Sequence, residues 1–176
     1  MNLRTLYNNA KSISNYRHNY KLPADPYGLV DIVPNFNNES ITFIFDCTGL
    51  TENTNHLTFI CFRNTHFISD EEFQERELSE EDYYSFAYEG DLYWAKKHKM
   101  TNTVKVNCSC SDFYYTFGYY NWRTQTLFGK KPIPYQRKTT TRPERNPQHL
   151  PGLCKHIYWC LIELYELGIM NQHKGI

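Results

Sequence analysis

TVKVNCSC, residues 103–110, is a short alternating run that ends in two cysteines one residue apart. Val104 and Val106 alternate with Lys105 and Asn107, the period of a half-buried strand. That strand would deliver Cys108. Alternate residues on a straight strand lie about 6.5 Å apart, too far for two ligands of one ion. If Cys108 and Cys110 share a metal, the chain must therefore curl at the strand end and leave Ser109 outside.

The matching stretch is PGLCKHIYWCLIELYEL, residues 151–167. Ile157, Cys160, Leu161, Leu164 and Tyr165 share one face of an expected helix, and Gly168 is its stop signal. Cys154 and His156 would straddle the first turn. Unpaired backbone N–H groups and the helix dipole favour a thiolate there. Three thiols and one imidazole are the donor set of a closed structural zinc site. The expected cofactor is Zn2+, held by Cys108, Cys110, Cys154 and His156. Cys160 competes as a ligand but falls on the apolar stripe, and His149 sits in a loop.

Upstream, Ser40–Asp46 and Asn55–Phe62 are rich in β-branched and aromatic residues, with Gly49 and a Thr/Asn cluster between them, and read as a hairpin. Cys47 and Cys61 on these strands read as small buried hydrophobes. Ser69 with Glu72 three positions on is a capping signature. Phe73, Leu78, Tyr83 and Phe86 then suggest one or two short acidic helices across 69–89. Asp91–Ala95 reads as a short strand. Asp112–Tyr120 carries six aromatics in nine residues and reads equally as strand or helix. Five prolines between Lys130 and Gly152 rule out regular structure throughout that stretch.

The 176 residues divide into 1–39, an extended N-terminal arm with one short helix near Leu3–Asn15; 40–100, a β-hairpin plus acidic helical segment; and 101–176, a zinc module with a long inserted loop. All three read as one compact unit. The expected class is α+β, a small, mostly antiparallel sheet with a C-terminal helix clamped by a structural zinc.

Net charge is zero, but it is unevenly placed. Asp70–Asp91 holds ten carboxylates and one base, Arg76, whereas Lys130–Arg145 holds six bases and one carboxylate, Glu144. Such asymmetry suits head-to-tail contact with copies or neighbours rather than a dedicated nucleic-acid binder, whose whole domain is usually basic. No apolar run reaches 18 residues, so no spanning helix is expected. Met1–Thr5 lacks the apolar core of a secretion signal. Six cysteines without such a signal point to reduced thiols and metal rather than disulfides.

Cys108-x-Cys110 followed by Cys154-x-His156 resembles the SWIM-type zinc finger, CxC…CxH in a ββα arrangement, over roughly Thr103–Leu167. The spacer between the pairs exceeds the usual one. A wider set of residues is similar to SWIM-like structural proteins of tailed bacteriophages: Cys110-Ser-Asp112-Phe113-Tyr114, Tyr135-Gln-Arg137-Lys138-Thr139, Arg142-Pro143, Asn146-Pro147 and Pro151-Gly152-x-Cys154-Lys155-His156. The likeness implies a virion protein of tail, baseplate or neck, assembled in the host cytoplasm. Its partners would be other virion structural proteins and copies of itself.

A catalytic zinc needs an open position and a base, whereas here protein donors fill all four, so no enzyme is expected. Asp112 reads as a turn residue or an outer-shell acceptor. The zinc would close the 43-residue spacer, positions 111–153, at its base, leaving the Tyr-rich and Arg/Pro-rich segments to project. Tyr135, Arg137, Lys138, Arg142 and Arg145 are the expected contact surface. The alternative is a SWIM adaptor that binds nucleic acid or protein in the host cytoplasm through Lys130–Arg145.

Overall fold

The computed structural model describes residues 1–13, 27–48, 54–136, 141 and 144–171. The class is α+β, with two antiparallel sheets and a C-terminal helix. Four strands form the larger sheet in the order β1-β2-β3-β7: β1 (Tyr27–Asn35), β2 (Ser40–Thr48), β3 (Asn55–Arg63) and β7 (Val104–Cys108). The hairpin expected at 40–62 is β2 paired with β3, in register from Ser40 opposite Arg63 to Thr48 opposite Asn55. Alternation decides the faces. Ile41, Phe43, Phe45 and Cys47 of β2 are wholly buried, as are Thr58, Ile60 and Phe62 of β3.

Two helices cover that face. The C-terminal helix α5 (Lys155–Glu166) lies across β1, β3 and β7 and buries His156, Ile157, Cys160, Leu161 and Leu164. Gly168, at φ +72°, ends it, with Ile169 N–H bonded to the Leu164 carbonyl at 2.9 Å. Helix α1 (Leu3–Ile13) buries Leu3, Leu6, Ala10 and Ile13 in the same core. Within 1–39 the described residues form the short helix expected near Leu3–Asn15 and a strand rather than an extended arm, and 14–26 lie outside the described residues. The spacing 3, 6, 10, 13 is one helical stripe, diluted by Asn and Ser, and 27–35 is an edge strand that packs Leu29 and Ile32 against the core while Val30, Asp31 and Val33 stay exposed.

The smaller sheet has the order β4-β6-β5: β4 (Phe67–Ser69), β6 (Asp91–Lys96) and β5 (Tyr83–Tyr88). Helix α2 (Asp70–Glu75) opens at Ser69, whose Oγ accepts the Glu72 N–H at 3.2 Å, as the capping signature implied. A second acidic helix does not follow. Tyr84 and Phe86 are buried while Ser85 and Ala87 are exposed, a period of two that makes 83–88 a strand. One face of this sheet, with Tyr84, Phe86 and Ala95, joins the main core. The other, with Ile68 and Trp94, packs on Phe73 of α2 as a separate cluster.

The Tyr-rich segment is helical and does not project. Helix α3 (Ser111–Phe113), a π turn (Tyr114–Gly118) and α4 (Tyr119–Arg123) run on as one, with Phe113, Thr116, Phe117 and Asn121 buried. No helix among the described residues is long and apolar enough to cross a membrane.

Candidate metal centre

Strand β7 ends at Cys108, opposite Thr58 of β3. The chain then bends outward. Ser109 is exposed and tied to β3 twice, its N–H to the Leu57 carbonyl at 3.0 Å and its Oγ accepting the Leu57 N–H at 3.1 Å. That double anchor breaks the straight-strand spacing and turns Cys110 inward. Cys110 becomes the N-cap of α3, its sulfur accepting the Phe113 N–H at 3.3 Å. Cys154 is the N-cap of α5, and His156 lies in the first turn. Two of the three thiols thus sit at helix starts, where unpaired N–H groups stabilise negative charge.

The four donors converge. One ligand atom from each of Cys108, Cys110, Cys154 and His156 lies within 4.8 Å of all the others. Cys108 Sγ is 3.7 Å from His156 Nδ1. Sulfur donors of one tetrahedral zinc lie about 3.8 Å apart, so an ion would draw the set in by under about 1 Å. Each residue is at most 3% exposed. Burying three thiols and an imidazole among apolar groups is costly unless something satisfies them. Hydrogen bonds from the Cys110 and Cys154 thiols pull Cys108 well below the ordinary thiol range. Burial, then the neighbouring Cys108, pushes Cys154 well above it. A thiol drawn toward its thiolate among buried sulfurs is the electrostatic setting a soft cation fits. The four could hold a metal ion, as the sequence pattern implied.

The surroundings were less legible. Cys160 is not in the donor set. Its Sγ lies 3.4 Å from Cys47 Sγ in the core beneath. Cys47 donates to Thr58 Oγ1 at 3.5 Å, and Thr58 Oγ1 donates to Cys108 Sγ at 3.4 Å, linking this buried thiol pair to the cluster. His56 was not singled out from sequence. It shares a strand face with Thr58, and its half-buried ring lies 4.8 Å from that of His156. Burial, then His156, holds its pKa below the usual value. Strand alternation counted back from Thr58 was the signal that could have found it. His156 Nε2 is buried without a hydrogen-bond partner among the described residues.

Two asparagines hold the spacer against the site. Asn121, wholly buried, accepts the Gly152 N–H at 2.8 Å and donates to the Gly152 carbonyl at 3.0 Å. Asn146 donates to the Thr116 and Leu150 carbonyls, both at 2.8 Å. Gly152 must be glycine, because a Cβ there would lie 2.6 Å from the Phe117 ring. The chain thus arrives at Cys154 in a fixed position.

Of the expected contact residues, Tyr135 is exposed and its ring lies 4.9 Å from that of Tyr115. Arg145 lies 3.6 Å from Asp112, which also accepts from Thr116 at 3.2 Å, so Asp112 serves the helix rather than the cluster. Arg137, Lys138 and Arg142 lie outside the described residues. His149 stacks on Tyr120 and pairs with Glu144 at 3.1 Å, away from the sulfur cluster. Comparison with protein-family models, curated proteins and solved structures found no match.

Proposed function

We propose that this chain is a zinc-stapled structural protein that acts through protein–protein contacts, as an assembly or connector component of a tailed-phage virion. The observation that carries the first part is the buried, four-donor Cys/Cys/Cys/His set joining β7, α3 and α5. A soft, sulfur-rich, tetrahedral shell favours Zn2+ over hard oxygen-seeking cations. Four protein donors leave no position for water or substrate, so the metal's role is to join elements rather than to turn over a substrate. The virion setting is supported by the likeness of the motif set to SWIM-like phage proteins. SWIM kinship rests on the spacing of the same four residues.

Elemental analysis of the purified chain tests the metal, with one zinc per chain expected. Mass spectrometry of purified particles tests the setting, with the chain expected at fixed copy number beside tail or neck proteins. A folded chain without metal would end the first claim, and absence from particles the second. The nucleic-acid reading is favoured by one observation, the exposed Tyr114, Tyr115 and Tyr135 beside Lys130 and Lys131. It requires salt-sensitive binding of a single strand, lost when Arg137, Lys138 and Arg142 are neutralised.

A further inference from the structure

Immediately outside the metal cluster is a cleft of about 360 Å³, walled by Phe113, Tyr114, Pro132 and Ile133, with Lys130 and Lys131 on its lining. Its position follows from the cluster. Phe113 is the third residue after Cys110, and Asn107, on the floor, precedes Cys108. The rim is unusually apolar for a surface. Ile133 is 77% exposed and Tyr135 55%, and Tyr114 and Tyr115 are exposed beside them. Clustered apolar exposure beside cations marks a contact surface, whereas scattered exposure does not.

The opposite charge lies on the smaller sheet. Between Asp70 and Asp82 the chain places eight carboxylates and one base. Glu72 pairs with Arg76, and Asp70 accepts the Trp94 indole N–H at 2.7 Å. Glu71, Glu75, Glu77, Glu80, Glu81 and Asp82 are all exposed. This ledge is ordered. Ser69 caps it, and Phe73 beneath it stacks on Trp94 at 3.8 Å. An ordered ledge loses little conformational entropy on docking. Among the described residues α2 packs chiefly on β4 and β6, whereas the cleft is lined from β7, α3, the π turn and residues 127–133.

We propose that the acidic ledge of one copy docks on the basic, aromatic cleft of the next. The contact uses two different patches, so it generates chains or rings unless both pair reciprocally about one two-fold axis. The proposal deepens the structural reading by naming the partner of the cleft as a second copy of this chain. Leu78, half-buried in the ledge, supplies an apolar residue among the carboxylates.

Analytical ultracentrifugation of the full-length, zinc-loaded chain tests it. Concentration-dependent association is expected at about 0.05 M salt, at least tenfold weaker at about 0.5 M. Lys130→Ser with Lys131→Ser removes the cleft charge. Glu80→Gln with Glu81→Gln removes ledge charge. Each double variant alone should associate at least tenfold more weakly. Mixed, they should form a capped 1:1 complex, because one keeps its ledge and the other its cleft; that complex also shows both variants folded. A wild type monomeric at every concentration and salt overturns the proposal, as does association that both variants leave unchanged. A fluorescent single strand added to the monomer supplies the third arm. Strand binding lost on Lys130→Ser with Lys131→Ser would give the cleft to nucleic acid instead. A monomer that still holds one zinc per chain and is found in particles would end self-docking and leave the proposed function standing.

Discussion

Around β7, three thiols and an imidazole meet inside the core. Around β6 no such donors meet among the described residues, and Trp94 lies flat on Phe73 at 3.8 Å instead, with Ile68 beside them. Both regions pair polar atoms, but they do so differently. The smaller sheet does so locally, with Ser69 on the Glu72 N–H and Asp70 on the Trp94 indole. The larger sheet gathers sulfur and nitrogen from residues up to 48 positions apart and leaves His156 Nε2 without a partner among the described residues. The difference is between a region whose polar side chains pair with each other and one whose gathered donors could hold a cation.

Removing the metal should break that contrast most severely. Structural zinc sites in finger peptides contribute on the order of 10 kcal/mol of folding free energy. Chelation at pH 7, or Cys154→Ser, should lower Tm by more than about 10 °C. Hydrogen exchange should rise over 104–123 and 153–170 while β5 and β6 keep more of their protection. Equal loss across both sheets would mean that the two regions form one cooperative unit.

Phe73→Ala makes the converse cut. Phe73 is 3% exposed and its ring stacks on Trp94. Truncation of a buried Phe costs about 3–5 kcal/mol. Trp94 fluorescence should shift to the red, and one metal per chain should be retained. Loss of metal on this change would erase the independence of the regions.

His98 joins the two. It is 3% exposed, stacks on Phe62 of the larger sheet at 3.9 Å and sits 2.9 Å from the Tyr84 hydroxyl of the smaller. Its backbone bonds Ile169 and Asn171 beyond α5. Burial pushes its pKa down to about 3, so the folded ring is neutral and shares a hydrogen bond with the Tyr84 hydroxyl. The unfolded chain takes up a proton near pH 6.5 and the folded chain does not. Stability from this group is therefore complete above that pH and falls toward pH 3, by about 1.4 kcal/mol per unit. Denaturant titrations of the metal-saturated chain at pH 7, 6 and 5.5 should show that slope, reduced in His98→Phe. An unchanged slope in the variant would assign all the acid sensitivity to the metal ligands, which also take up protons.

The sequence told most where one residue type had one physical use. β-Branched and aromatic residues around a turn marked β2 and β3, alternation marked β7, and the spacing of one Cys–Cys and one Cys–His pair marked the donor set. It told least where the determinant lay far along the chain. Nothing local in TFGYYN says that Asn121 grips Gly152, or that Gly152 lies against Phe117. The helix at 3–13 was half legible. Its stripe is real, but Asn and Ser between the apolar residues mimic a solvated arm until the surface it covers is known. The segment 83–88 failed for the opposite reason. Tyr83 and Phe86, three apart, fit a helix face as well as strand neighbours, and pairing with β6 decides for the strand.

Ser69→Ala is the smallest of these changes and the most selective. Its hydroxyl accepts one N–H at an exposed helix start, with Asp70, Glu71 and Glu72 in the first turn facing the positive end of the helix dipole. Losing such a cap costs about 1 kcal/mol, and Ser69→Asp should restore it. Metal content should not respond, because the helix is joined to β4 and β6 and not to the donors. The acidic ledge should respond, because α2 fixes where its first carboxylates stand. If Ser69→Ala weakened association at low salt while both sheets kept their melting behaviour, the local means of satisfying the smaller sheet would have a use beyond stability. It would hold charge in a shape that a second copy can meet.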